Sequence, residues 1–253
     1  MKKKAAVLIA AIVVLLSSCR GVPAVNREPT EASETIVTEA PRPTETEAMP
    51  TEATQPQPTQ PPETVPMDLP EDTFVRIADY IPDLHVDLCY ATEENFTGTR
   101  IYDFADAYLR FGTVKKLMIA AENLAVQGYG LVIWDAYRPV YAQERLWEIC
   151  PDPTYVSRPG TGIQSHCRGI AVDVTLYELT TGELLEMPTG FDDFSPMADR
   201  DYSDCTTDAA CNAAILEAAM SDSGFKPYRA EWWHFTDTDS YDVEYVFDPA
   251  ELD

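Results

Sequence analysis

The segment SHCRGIAVDVTLYEL, residues 165–179, changes character at Gly169. Before the glycine lie polar residues and a histidine. After it comes an apolar run rich in β-branched residues that alternates with period two, which predicts a strand. TTGE, residues 180–183, follows as a hairpin-like turn. His166 and Asp173 are seven residues apart, an odd separation, so they cannot share one face of one regular strand. His166 is therefore expected in a loop leading into the strand that carries Asp173. Gly169 stands where backbone must pass close to another group.

Working outward, GLVIW (residues 130–134) reads as a buried strand that runs into DAYRP. Pro139 stops that strand and can open the next helix, VYAQERLWEI, residues 140–149. Upstream, TVKKLMIAAENLAVQG (residues 113–128) is an amphipathic helix with Val114, Leu117, Met118, Ala121, Leu124 and Ala125 at the helical period. Thr113 is placed to cap its start and Gly128 to end it. Downstream, DAACNAAILEAAMSDSGF (residues 208–225) is a late helix, and KPYRAEWWHF (residues 226–235) a final aromatic strand. Helices and strands are interspersed without a strict strand–helix–strand rhythm, which predicts an α+β fold over residues 71–253. That length suits one domain with a substantial core.

Residues 71–253 carry 34 acidic and 12 basic side chains, a net charge near −22. Such a domain excludes nucleic acid as a partner and disfavours close approach to anionic lipid. Five cysteines follow Cys19, an odd number, and no C-x-x-C pair supports a cysteine-based zinc site.

The first 19 residues, MKKKAAVLIAAIVVLLSSC, have a basic start and a short apolar run, the pattern of a secretion signal. Small residues before Cys19 resemble a bacterial lipobox. That likeness implies cleavage before Cys19, lipidation of its thiol, and a mature protein tethered to the membrane outside the cytoplasm. An ordinary signal peptide ending near a cysteine is the alternative. Residues 20–70 are rich in Pro, Thr and Glu with almost no aromatics, the composition of a disordered, semi-stiff tether.

The chain has only three histidines, His85, His166 and His234. His166 and His234 both sit near carboxylates, Asp173 and Glu231. Two imidazoles and one carboxylate are a familiar catalytic zinc set, leaving a fourth position for water. A nearby carboxylate off the metal can act as proton carrier, a role open to Glu231. Glu231 and His234 are three apart, so a bulge or strand end near Trp232 and Trp233 is needed to bring them together. Spacing alone leaves a second reading open, in which each histidine is half-buried and bonded to a local carboxylate. His85 has no such neighbour and reads as structural or surface.

SHCRGIAVDVTL and EWWHF resemble the S-x-H-x-x-G-x-A-x-D and E-x-W-H signatures of zinc D-alanyl-D-alanine metallopeptidases, and are most similar to the VanX-type D-alanyl-D-alanine dipeptidase branch. YATEENFTG (residues 90–98), GYGLVIWDAYRP (residues 128–139), LYELTTGELLEM (residues 176–187) and SGFKPYRAEWWH (residues 223–234) resemble that branch in the same order, so the likeness covers roughly residues 80–236. It implies a single α+β domain of D-Ala-D-Ala peptidase/hedgehog-like type, with a central, mostly antiparallel sheet flanked by helices. It implies one Zn²⁺ per subunit on His166, Asp173 and His234, with Glu231 as catalytic base and Arg138 as the transition-state arginine. It also places Asp192 as the carboxylate that receives the substrate ammonium, with Tyr90 and Asn95 lining the same pocket. The chain departs from the branch at Gln164, where serine is usual, at MPTGF (residues 187–191), and at Cys167. The expected function is hydrolysis of a small D,D-dipeptide by a lipid-anchored enzyme. The alternatives are a D,D-carboxypeptidase acting on peptidoglycan stem peptides and a non-catalytic cell-wall-binding lipoprotein.

Overall fold

The computed structural model describes residues 65–162, 164–241 and 247–249. The expectations for the signal, for lipidation of Cys19 and for most of the tether lie outside the described residues. The tether's last residues do not stand apart. Leu69 packs against the core, and the Tyr80 hydroxyl donates to the Pro66 carbonyl, so chain before residue 71 joins the fold. Among the described residues, no helix is long and apolar enough to cross a membrane.

The strands are β1 (Phe74–Arg76), β2 (His85–Val86), β3 (Tyr108–Arg110), β4 (Tyr129–Asp135), β5 (Ala171–Glu178), β6 (Phe225–Pro227) and β7 (His234–Asp237). The helices are α1 (Phe111–Ala125), α2 (Val140–Ile149) and α3 (Thr207–Asp222). Five strands form one sheet in the order β2-β4-β5-β7-β6, while β1 and β3 form a separate antiparallel pair. Among the described residues, only β2 and β4 run parallel in the large sheet. The result is the expected α+β architecture with a mostly antiparallel sheet.

β4 and β5 are the centre. Every residue of β5 except Glu178 is buried, so the alternation in its sequence is between apolar packing and buried function rather than core and solvent. α1 packs on β4 and β3, and α3 packs on α1, β5 and β6. Val114, Leu117 and Leu124 of α1 are fully buried, as the periodicity predicts, whereas Ala125 is exposed.

Two local expectations need correction. α1 begins at Phe111, two residues before Thr113, and Thr113 does not cap it. The Thr113 side chain is buried and its hydroxyl donates to Asp237 Oδ2 at 2.7 Å. Residues 226–235 are not one strand. β6 ends at Pro227, and the chain turns through residues 228–233 before β7 begins at His234. A flat strand would send Trp232 and Trp233 to opposite faces. The turn instead lets both indoles become 1% exposed, in a T-shaped contact at 5.5 Å. Truncating either to alanine costs about 3–5 kcal/mol.

Candidate metal centre

His166 enters through a single helical turn, His166–Arg168, that leads into β5. Gly169 ends the turn with φ +69°, a left-handed conformation, and a Cβ there would lie 2.4 Å from Phe74 Cε1. Only glycine meets both demands without strain. Asp173 lies on β5 directly opposite His234, the first residue of β7. The turn before β7 brings Glu231 back over the same spot, with its Oε2 3.9 Å from His234 Nδ1. The strand end required by the spacing of Glu231 and His234 is therefore present.

The histidine tautomers follow from the hydrogen bonds behind them. His166 Nδ1–H donates to the Ala136 carbonyl at 2.7 Å, which leaves Nε2 as a bare acceptor. His234 Nε2 lies 3.1 Å from Thr236 Oγ1, a hydroxyl able to accept from Nε2–H and so free Nδ1 for a metal. His166 Nε2 and His234 Nδ1 face each other at 3.1 Å. Asp173 adds Oδ1 at 2.9 Å from His234 Nδ1 and Oδ2 at 3.4 Å from His166 Nε2. The three residues offer ligand atoms all within 4.8 Å of one another. Acceptors gathered this closely in a buried place must share protons or a metal cation. Two imidazole nitrogens and one carboxylate oxygen suit Zn²⁺ with one position left over. The residues fit the ion.

The electrostatics run the same way. Burial pushes the Asp173 carboxyl up, but the positive charge and N–H donors of His166 and His234 in their protonated forms outweigh it and hold it well below the usual carboxylate range, so the site favours positive charge beside this carboxylate. Glu231 is raised, first by burial and then by Asp173 and Asp192, against the pull of His234. A raised carboxyl suits a group that must take a proton and return it. Cys167, next to the candidate ligand His166, is pushed up to about 11 chiefly by burial, so it stays a neutral thiol.

A cavity of about 400 Å³ opens over these groups, within the range of roughly 300–1,000 Å³ usual for small-molecule sites. Glu231, Arg138, Asp192 and Tyr90 line it together with the three candidate ligands. Arg138 is held by Asp135, with Nη2 2.6 Å and Nε 3.1 Å from Oδ2, and its Nη1 donates to Gln143 Oε1 at 2.8 Å. Asp192 sits in the left-handed region at φ +53° and accepts the Tyr90 hydroxyl at 2.7 Å. Burial pushes its carboxyl up to about 7.

Asn95 does not line the cavity, contrary to expectation. Its amide donates to the carbonyls of Cys89, Thr92 and Thr99, and its Oδ1 accepts from Thr97, so its bonds tie its own loop together. Residues 92–99 need such a tie because they form no regular structure. Asp135, Gln143 and Thr236 were not anticipated. A signal for Asp135 existed: a lone acid ending an apolar strand, three residues before Arg138, must be paired if it is buried.

A family model described as D-ala-D-ala dipeptidase, in peptidase family M15, matches residues 70–249. A D-alanyl-D-alanine dipeptidase of Escherichia coli (strain K12) is 38% identical over 161 residues, covering 64% of this chain and 82% of its own length. One of Enterococcus faecium is 33% identical over 181 residues, covering 64% and 90%. One of Streptomyces coelicolor is 33% identical over 186 residues, with the same coverage. A solved LD-carboxypeptidase structure aligns with 66% of this chain and 68% of its own at 20% identity and a TM-score of 0.38, too low to argue from.

Proposed function

We propose that this chain, which belongs to the D-Ala-D-Ala dipeptidase family of peptidases, hydrolyses free D-alanyl-D-alanine and similar D,D-dipeptides with one Zn²⁺ held by His166, Asp173 and His234. The carrying observation is the convergence of those three side chains with Glu231 on a cavity that Arg138 and Asp192 also line. When bound, zinc supplies a Lewis acid that polarises the scissile carbonyl and makes water a nucleophile near neutral pH.

The chain's own residues do the rest. Glu231 takes the proton of the attacking water and returns it to the leaving amine. Arg138 donates N–H groups to the oxyanion that forms on the carbonyl oxygen, which stabilises the transition state more than the substrate. Asp192, buried and bonded to Tyr90, receives the substrate's free ammonium. Ala136 and Thr236 hold both imidazoles in the tautomers that keep a bare nitrogen on the site. Such a carboxylate favours a dipeptidase over a carboxypeptidase trimming stem peptides, because only a dipeptide presents an ammonium one residue from the scissile bond.

The motif at Cys19 supports a lipid anchor and a location outside the cytoplasm. Residues 20 to about 65 would then serve as the spacer. There the enzyme would meet dipeptides released by wall turnover. Loss of membrane association in Cys19→Ser would support the anchor, and unchanged association would refute it.

The reading of the reaction is tested by offering the zinc-loaded protein free D-Ala-D-Ala and, separately, a muropeptide ending in D-Ala-D-Ala. Release of D-alanine from the free dipeptide is expected. Cleavage of the stem alone would make the enzyme a carboxypeptidase, and cleavage of neither would leave only a wall-binding role.

A further inference from the structure

The sheet changes register just where the site begins. β4 and β5 pair as Ile133 with Val174, then shift so that Asp135 pairs with Asp173. A bulge beside an active site re-aims the side chains around it. Here it sets two buried carboxylates opposite each other on neighbouring strands. Asp173 faces the two imidazoles, and Asp135 bonds Arg138 with its Oδ2 also 3.6 Å from His166 Nδ1.

Asp135 is fully buried and bonded on both oxygens. Its Oδ1 accepts the Tyr102 hydroxyl at 2.6 Å and the Ala136 N–H at 2.9 Å. Its Oδ2 accepts Nε–H and Nη2–H of Arg138. A guanidinium has five N–H donors in a fixed plane. Asp135 takes the side-on pair and Gln143 takes one more, while the Gln143 amide is itself anchored on the Ser157 carbonyl at 2.7 Å. Two donors remain on the group that lines the cavity. The next residues tie the same segment to the metal site, since the Ala136 carbonyl accepts from His166 Nδ1 and the Arg138 N–H donates to the His166 carbonyl at 3.2 Å.

We propose that Asp135 is a positioning residue for the reaction, holding the Arg138 guanidinium side-on so that its two remaining donors are fixed relative to the His166 turn. This rests on the reading of Arg138 as the oxyanion donor. The work requires a carboxylate, not merely a polar residue. Both Asp135 oxygens act as acceptors, and an amide in its place would turn a donor against either Arg138 or the pair formed by Tyr102 and Ala136. Fixing donors before the reaction is what makes them effective in the transition state.

The test is a kinetic cycle on the zinc-loaded protein with Asp135→Asn, Arg138→Ala and the double variant, using D-Ala-D-Ala or, should only the stem be cleaved, the muropeptide. Arg138→Ala is expected to lower kcat roughly 10²–10³-fold, as loss of an oxyanion donor does. Asp135→Asn is expected to lose about a tenth to all of that factor, with KM within about threefold. Zinc content should be unchanged, because Asp135 Oδ2 comes no nearer than 3.6 Å to His166 Nδ1, which the Ala136 carbonyl already holds at 2.7 Å. The double variant should be no slower than Arg138→Ala. Added guanidinium ion should speed Arg138→Ala and fail to speed the double variant. If Asp135→Asn does not fold, Tyr102→Phe removes one bond to the carboxylate and should slow kcat a few-fold only when Arg138 is present.

A readout independent of turnover is the ¹⁵N–¹H resonance of Arg138 Nε, expected to be protected from exchange in the wild type and unprotected in Asp135→Asn or weakened in Tyr102→Phe. Losses that multiply across the cycle, or an Nε–H equally protected in every variant, overturn the proposal. If the wild type cleaves neither peptide, the reading of function fails while the Nε–H measurement still decides what Asp135 does.

Discussion

Asp192→Asn separates recognition from chemistry. The Asp192 carboxyl accepts the Tyr90 hydroxyl and is pushed up to about 7 by burial. In the proposed role an ionised carboxylate there would bond the substrate ammonium, and a bond to a charged partner contributes about 1.5–3 kcal/mol. Asparagine keeps the shape and loses the charge, so KM should rise roughly 10–150-fold, at tenfold per 1.4 kcal/mol. The pH profile sharpens the test. One pH unit below its pKa about a tenth of a carboxyl is ionised, so wild-type KM should climb up to about tenfold per unit as pH falls below the midpoint. Asp173 contributes to the upward push, and a cation bound to Asp173 relieves that part, so the midpoint should lie at or below 7. In Asp192→Asn the KM should be flat across the same range.

Stability moves the other way. The unfolded chain releases this proton near the ordinary value of 3.8 and the folded chain near 7, so the fold holds the extra proton between them and loses stability as pH rises through that window. Asp192→Asn should therefore melt higher than wild type at pH 8. The assay is steady-state hydrolysis of D-Ala-D-Ala from pH 5.5 to 8.5 with parallel melting curves. A KM within threefold of wild type, or a variant that keeps the wild-type KM profile, would refute the role given to Asp192.

Other substitutions probe the remaining parts. Glu231→Gln should cut kcat by roughly 10²–10⁴ while leaving metal content intact, since it removes a proton carrier and no ligand; metal loss in the variant would instead make Glu231 a ligand. Gly169→Ala should destabilise the fold, by about 1–2 kcal/mol for a side chain in the left-handed region and about 1–3 kcal/mol for the clash with Phe74. Adding Phe74→Ala relieves the clash at Gly169→Ala but adds a cavity, so only the backbone strain should persist as weakened zinc affinity through the His166 turn. Asn95→Ala should leave KM within about twofold and make residues 92–99 more open to proteolysis; a large KM increase would put Asn95 back in the pocket.

The long elements were legible because their signals are local. The period of Val114, Leu117 and Leu124 predicts α1, and the β-branched run after Gly169 predicts β5. The three candidate ligands were legible from motif resemblance, and Gly169 was legible as a point of close backbone approach, though its left-handed φ and its neighbour Phe74 come from the fold. The misses arose where a distant partner decides a residue's role. Thr113 looks like a cap until Asp237 takes its hydroxyl. Asn95 looks like a pocket residue until its own loop takes all its bonds. KPYRAEWWHF has strand composition throughout, but two adjacent tryptophans that must both be buried force a turn. Asp135 carried a readable charge, yet its partners Tyr102 and Gln143 come from other parts of the chain.

The most direct measurement is D-Ala-D-Ala hydrolysis by the full-length protein alongside its zinc content, before and after chelation and after zinc is returned. One zinc per chain, activity lost with the metal and restored with it, and both abolished in His234→Ala are the predicted results. Hydrolysis that survives complete removal of the metal, or zinc bound at full stoichiometry in His234→Ala, would contradict a catalytic ion held by His166, Asp173 and His234.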